Sequence, residues 1–187
     1  MKNAPASESG YTLVELIITV TIIAVIAAIA VPAFSSGSDQ RLQLAAKEVA
    51  SAIRYARSES IRTGEAHGLT ISQATQKVTV NKYDLSTAPI SVLYTLTHPI
   101  NKQPYDFNVN TGSTTKGVTI GNTQDVFNFT GLGGRRSVIF DANGTPKWIV
   151  GSGPTTYLLS DASVELSYGN QQSTVSLTPI TGRVIVQ

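Results

Sequence analysis

Gly10-Tyr11-Thr12-Leu13-Val14-Glu15-Leu16-Ile17-Ile18-Thr19-Val20-Thr21-Ile22-Ile23-Ala24-Val25-Ile26-Ala27-Ala28-Ile29-Ala30-Val31-Pro32-Ala33-Phe34 is the stretch on which the reading of the whole chain turns. Residues 16–34 carry no charge, and the next charged side chain is Asp39. As a helix rising ~1.5 Å per residue, such a run crosses a hydrocarbon core of ~30 Å. Thr19 and Thr21 fit it, because their hydroxyls bond back to helix carbonyls. Pro32 removes one backbone donor near the end of the run and predicts a kink there. Ser35-Ser36-Gly37-Ser38 predicts a melted or bent stretch after it. Residues 1–10 are polar, with Lys2, Pro5 and Glu8. A secretory signal places its cut site after the apolar region. Here a candidate cut site would precede the run and leave it in the mature chain. Glu15 is costly at the edge of an apolar helix unless it finds a partner.

The rest of the composition fits one soluble domain attached to this element. The chain has 187 residues, a net charge of +2 and no cysteine. That charge is too small a bias to imply nucleic acid by itself. The missing cysteines exclude disulfide frameworks, thiolate zinc sites and cysteine nucleophiles.

Outward from the run, residues 39–63 predict a second helical stretch. Leu42, Ala45, Ala46, Val49, Ala52, Ile53, Ala56, Ser60 and Ile61 recur at three- and four-residue spacing. Gly64 supplies a C-terminal stop. The opposite face, with Arg41, Lys47, Arg54, Arg57 and Arg62, reads as solvated. Beyond Gly64 the period changes to two. Leu69-Thr70-Ile71 and Val78-Thr79-Val80 predict a hairpin. Further strands are expected at residues 92–97, 118–120, 126–129, 138–140, 148–150, 157–159, 164–168, 174–177 and 184–186, with a short one near 107–109. The fold class is α+β: a long N-terminal helix, transmembrane in its first half and amphipathic in its second, packed on an antiparallel β-sheet domain.

Little of this domain reads as chemistry. His67 and His98 lack metal-ligand spacing and read as surface or hydrogen-bonding residues. Asp141-Ala142-Asn143-Gly144 lacks the acidic positions of a calcium loop and reads as a tight turn, with Asn143-Gly144 supplying positive backbone dihedrals. Gly131-Leu132-Gly133-Gly134 reads as a flexible turn. No nucleophile, base and orienting acid form a set, so no catalytic residue, enzyme activity, cofactor or metal is expected.

Gly10-Tyr11-Thr12-Leu13-Val14-Glu15 before an uncharged apolar run resembles the prepilin signature of type IV pilins and type II secretion pseudopilins, with Tyr11 where phenylalanine is commoner. Pro32 matches a proline that many pilins carry. Residues 44–61, 138–146 and 177–184 are similar to the GspH/FimT family of minor pilins and pseudopilins. The resemblance implies a leader at residues 1–10, an assembly helix at 11–37 and a periplasmic domain at 38–187. It implies cutting between Gly10 and Tyr11 by an inner-membrane prepilin peptidase, N-methylation of Tyr11, and a Glu15 carboxylate that meets the N-terminal amine of a neighbouring subunit. The partners implied are that peptidase, the inner membrane and other pilins, and the role is priming of a pilus or pseudopilus at or near its tip. One alternative is a DNA-uptake pilin, contacting phosphates through Arg135, Arg136, Lys147 and Arg183. DNA-binding members of the family carry a C-terminal Gly-Arg-X-Arg pattern; here Gly182-Arg183-Val184 is followed by Ile185 instead. Another alternative is a major pilin, a purely structural subunit.

Overall fold

The computed structural model describes residues 11–87, 90–121, 126–149 and 156–187, without the side chains of residues 28–36. The chain divides into two compact units, Met1–Ser38 and Asp39–Gln187. One helix, α1 (Leu13–Thr63), supplies elements to both, and its assignment continues through Pro32 and Ser35–Ser38 without a melted stretch.

In the first unit the sequence explains where α1 begins. Thr12 stands just outside the helix. Its carbonyl accepts from the Leu16 N–H at 3.2 Å, and its hydroxyl accepts from the Glu15 N–H at 3.2 Å. That is the N-cap geometry of a Thr-x-x-Glu box. Thr19 donates to the Leu16 carbonyl at 2.9 Å, and Thr21 bonds back to the carbonyls of Ile17 and Ile18. The polar groups of this apolar helix are thus satisfied within it.

In the second unit α1 ends where a glycine allows it to. Gly64 has a φ of +72° and donates to the Ser60 carbonyl at 2.9 Å, a left-handed cap. Leu42, Ala45, Ala46, Val49, Ala52, Ile53, Ala56 and Ser60 are all buried, as their spacing predicts. Ile61 is not: it is 50% exposed, and its side chain covers the turn at Gly144 rather than the core.

The helix packs its small-residue face on an antiparallel sheet. Among the described residues the strands are β1 (His67–Ser72), β2 (Lys77–Asp84), β3 (Ser91–Thr95), β4 (Asp106–Asn108), β5 (Thr119–Ile120), β6 (Phe127–Phe129), β7 (Gly133–Arg135), β8 (Ser137–Phe140), β9 (Pro146–Ile149), β10 (Thr156–Tyr168), β11 (Gln171–Leu177) and β12 (Val184–Val186). The main path runs β12-β11-β10-β9-β8-β1-β2-β3; β4 pairs with β2, β5 and β6 with β10, and β7 with β6. The β1–β2 register sets Leu69 opposite Val80 and Ile71 opposite Val78, so the alternating apolar residues share the face that meets α1. Phe127, Phe140, Ile53, Leu69 and Ile71 are the largest fully buried side chains.

Three further expectations need correction. First, residues 157–159 and 164–168 belong to one strand, β10. The pairing register shifts between Leu159 and Asp161, a bulge whose Ser160 hydroxyl donates to the Asn128 carbonyl at 2.9 Å. Buried positions are odd before the shift (Leu159) and even after it (Ala162, Val164, Leu166), so one strand reads as two. Second, Gly133 and Gly134 are not turn residues: they form β7 with Arg135 and pair with β6, leaving the turn to Gly131 and Leu132. Third, the arginine face of α1 is not simply solvated. Arg41 donates to the Lys116 carbonyl at 3.2 Å, Arg54 to Val184 at 3.3 Å and Arg57 to Gly144 at 3.1 Å. Long stems let guanidinium groups at the edge of the buried face reach carbonyls of the turns at Lys116 and Gly144 and of β12 at Val184.

The β1–β8 pairing leaves no room for a side chain at Gly68, where a methyl carbon would lie 2.0 Å from the Val138 carbonyl oxygen. Gly68→Ala is expected to cost about 3 kcal/mol in urea unfolding. Gly64→Ala meets no atom within 4 Å and strains only its positive φ; it is expected to cost about 1 kcal/mol.

Candidate functional site

The N-terminal segment comes first. Gly10 lies outside the described residues. Tyr11 follows it at 86% exposed, and Glu15 sits exposed in the first turn of α1. A carboxylate there complements the positive end of the helix dipole. From Leu13 to Ile26 the large apolar side chains are all exposed, Leu13 at 76% and Ile18, the least, at 51%. A helix apolar on all sides needs a non-aqueous partner. Among the described residues, no helix is long and apolar enough to cross a membrane. The side chains of residues 28–34, which complete the 19-residue run, and that of Pro32 fall outside the description.

The four cations of the DNA reading do not converge. Arg135 ends β7, and its guanidinium donates to the Gly134 carbonyl at 2.7 Å. Arg136 precedes β8 and lines a polar cleft of about 750 Å³ with Gln73, Gln76, Thr119 and Glu165. Lys147 and Arg183 belong to the other end of β8. Lys147 is paired with Asp141 at 2.7 Å, and Arg183 follows Gly182, which packs on the Gly144 turn. In the β8–β9 register Lys147 stands opposite Ile139, three residues on from Arg136, or roughly 10 Å along the strand at ~3.4 Å per residue.

What does converge at that second end is a latch. Gly144 has a φ of +75° and Gly182 of +62°; Asn143 has no positive φ, so glycine alone supplies that conformation in the first turn. A Cβ on Gly182 would lie 2.9 Å from Arg57 Nε and 2.9 Å from the Gly144 carbonyl oxygen. The bare glycines let both turns close on the Arg57 guanidinium. Asp141 organises the first turn: its carboxylate accepts from the N–H groups of Asn143 and Thr145, both at 2.9 Å, besides the Lys147 ammonium. Burial pushes the Asp141 pKa up, but Lys147 and these two N–H groups outweigh it and hold the group below its ordinary value.

Ser60 closes the helix end in a comparable way. Fully buried, its hydroxyl lies 3.1 Å from the Phe140 carbonyl and accepts from the His67 N–H at 3.1 Å. His67 is buried beside it, with Nδ1 3.1 Å from the Glu65 carbonyl; desolvation lowers its pKa. His98 Nδ1 accepts from the Ile100 N–H at 3.2 Å. Sequence reasoning passed over the Thr12 cap, although Thr-x-x-Glu before an apolar run is its signal. It also passed over the Arg57 latch, for which no local signal exists.

The profile of the prokaryotic N-terminal methylation motif matches residues 5–31. No curated protein matches the chain. The minor pseudopilin EpsH from the type 2 secretion system of Vibrio cholerae is similar in structure, with 11% identity, a TM-score of 0.50, and coverage of 79% of this chain and 96% of that one. The type IV minor pilin FimU of Pseudomonas aeruginosa matches with 17% identity, a TM-score of 0.45, and coverage of 78% and 87%. The fold is therefore pilin-like α+β, as in EpsH. The chain carries a prepilin-type methylation motif at the head of that fold's helix.

The latch makes stability depend on pH with a defined sign. The folded-state pKa of Asp141 is depressed, so its contribution is complete above the ordinary aspartate range and is lost as pH falls through the folded value. Urea midpoints should therefore fall with acid below about pH 4 more steeply in the natural chain than in Asp141→Asn. Parallel curves would remove this role. Arg57→Met, which keeps the stem, should cost about 2 kcal/mol through the lost charged bond to Gly144.

Proposed function

We propose that this chain is a minor subunit of a type IV pilus or type II secretion pseudopilus, of the GspH/FimT kind. Prepilin peptidase cuts it between Gly10 and Tyr11 and methylates the new Tyr11 amine. Gly10 suits the cut because it has no side chain to obstruct the protease. The processed chain waits in the inner membrane with its β domain in the periplasm. It then joins the filament at or near the tip through α1. Its work is assembly and priming.

The observation that carries this reading is a methylation motif at the head of a helix whose described apolar side chains, Leu13 to Ile26, are all exposed. Such a surface suits a bilayer first and a bundle of like helices afterwards. In a bundle the Glu15 carboxylate would be desolvated, and pairing with a neighbour's amine fixes axial register because an unpaired buried charge costs several kcal/mol. The DNA-uptake alternative has less support, since its cations divide between the two ends of β8 and Lys147 already has a carboxylate. Abundance in sheared filaments separates a minor from a major subunit.

Intact mass and N-terminal sequencing of protein extracted from its host membrane test the processing step. The expected product begins at methylated Tyr11; a product beginning at Met1 removes the assignment. Gly10→Leu is expected to accumulate as uncut precursor. Glu15→Val is expected to be cut normally but to be lost from sheared filaments, and unchanged incorporation would deny the carboxylate a register role.

A further inference from the structure

The chain contains one Asn-Gly pair, Asn143-Gly144, and the fold sets its two halves in opposite surroundings. Asn143 is exposed in the turn between β8 and β9, whereas Gly144 is buried. Ile61 and Arg57 lie over the glycine: a Cβ there would stand 2.7 Å from Ile61 Cδ1 and 3.0 Å from Arg57 Nε. The Gly144 N–H donates to the Asp141 carbonyl at 2.8 Å, and the Gly144 carbonyl accepts from Arg57 at 3.1 Å. The latch therefore holds this glycine at both its N–H and its carbonyl.

The pair has a chemistry of its own. A backbone nitrogen can attack the side-chain carboxamide carbon of the asparagine before it and close a cyclic imide. Glycine after the asparagine obstructs this least, having no Cβ. Water is the only co-reactant. The Gly144 nitrogen gives its proton to water and bonds to Asn143 Cγ; the Cγ–Nδ2 bond breaks, and ammonia leaves with a proton taken from water. Water then opens the ring at either of its two C–N bonds. One opening leaves an aspartate at position 143. The other routes the backbone through the former side chain, an isoaspartate with one extra methylene in the main chain.

In the closed latch this step is barred at the nucleophile. The Gly144 N–H is buried and its proton is shared with a carbonyl, so water does not reach it to take that proton. The carboxamide already stands in water and lacks only that nitrogen. We propose that Asn143 is a site of spontaneous deamidation gated by the Arg57 latch: closed, the turn is inert; opened, it converts. Conversion runs one way. The Gly144 carbonyl oxygen lies 2.9 Å from where a Cβ of Gly182 would stand, so the turn has no slack for an added backbone atom. An isoaspartate at position 143 keeps the latch from closing again.

The test uses the full chain in non-ionic detergent micelles at mildly alkaline pH, beside a capped peptide of residues 141–147 as the ungated reference. Both are incubated in heavy-oxygen water, which labels the new carboxylate, and loss of the Asn143 amide is followed by mass spectrometry after brief acid proteolysis. The folded chain is expected to convert many-fold more slowly than the peptide. Arg57→Met should speed the folded chain about tenfold or more, through the loss of one charged hydrogen bond from the opening equilibrium. Arg54→Met loses a comparable bond, to Val184, without touching the Gly144 turn, and should leave the rate as it was. Equal rates in folded chain and peptide overturn the proposal. So does an unchanged rate in Arg57→Met, or an equal acceleration by Arg54→Met, which would mean general unfolding. Should Arg57→Met not fold, the natural chain in graded sub-denaturing urea decides: conversion that does not rise with hydrogen exchange at the Gly144 N–H overturns the gate. Chain bearing isoaspartate, isolated by chromatography, is expected to unfold at lower urea than its parent, and an unchanged midpoint denies the one-way step.

Discussion

The second unit depends on close apposition of a small-residue helix face to a sheet. Ala45, Ala46, Ala50, Ala52 and Ala56 are fully buried, with Val49 and Ile53 between them. Alanine loses no side-chain entropy on burial and lets backbones approach. The bulk is supplied from the sheet, by Phe127, Phe140, Leu69 and Ile71. Small faces large across the interface, which is how interiors reach crystal-like density. The bare edge at Gly68 follows the same logic within the sheet, where β1 and β8 leave no space for a methyl group.

The same helix satisfies a different requirement in the first unit. From Leu13 to Ile26 its large apolar residues are exposed all round, and its only polar side chains bond to the helix backbone or stand at its first turn. A surface of that kind is not at rest in water. It has the chemistry of a segment whose solvent is lipid or other helices, where backbone groups must be satisfied internally. The Thr12 cap satisfies the Glu15 N–H at the end where the methylation motif lies.

Around the helix's outer margins, arginines replace apolar contacts. Arg54 and Arg57 hold carbonyls 130 and 87 residues away, at Val184 and Gly144. These charged bonds tie the last hairpin turn and the Asp141 turn to one point on α1.

The N-terminal motif, the apolar run, the stripe of residues 42–60, the stop at Gly64 and the β1–β2 hairpin were legible because each is a local pattern, set by neighbours within a few residues. The split reading of β10 shows where that ends: a bulge at Ser160 exchanges odd for even positions, and only pairing with β6 reveals one continuous strand. β7 was illegible because two glycines carry no side-chain period; partnership with Phe127–Phe129 makes them a strand. The arginine latch depends on which carbonyls the fold brings near. Sequence by itself determined the elements and the apolar segment, because periodicity and hydropathy act along the chain. Tertiary structure decided which charges are satisfied, because electrostatic partners are chosen in space.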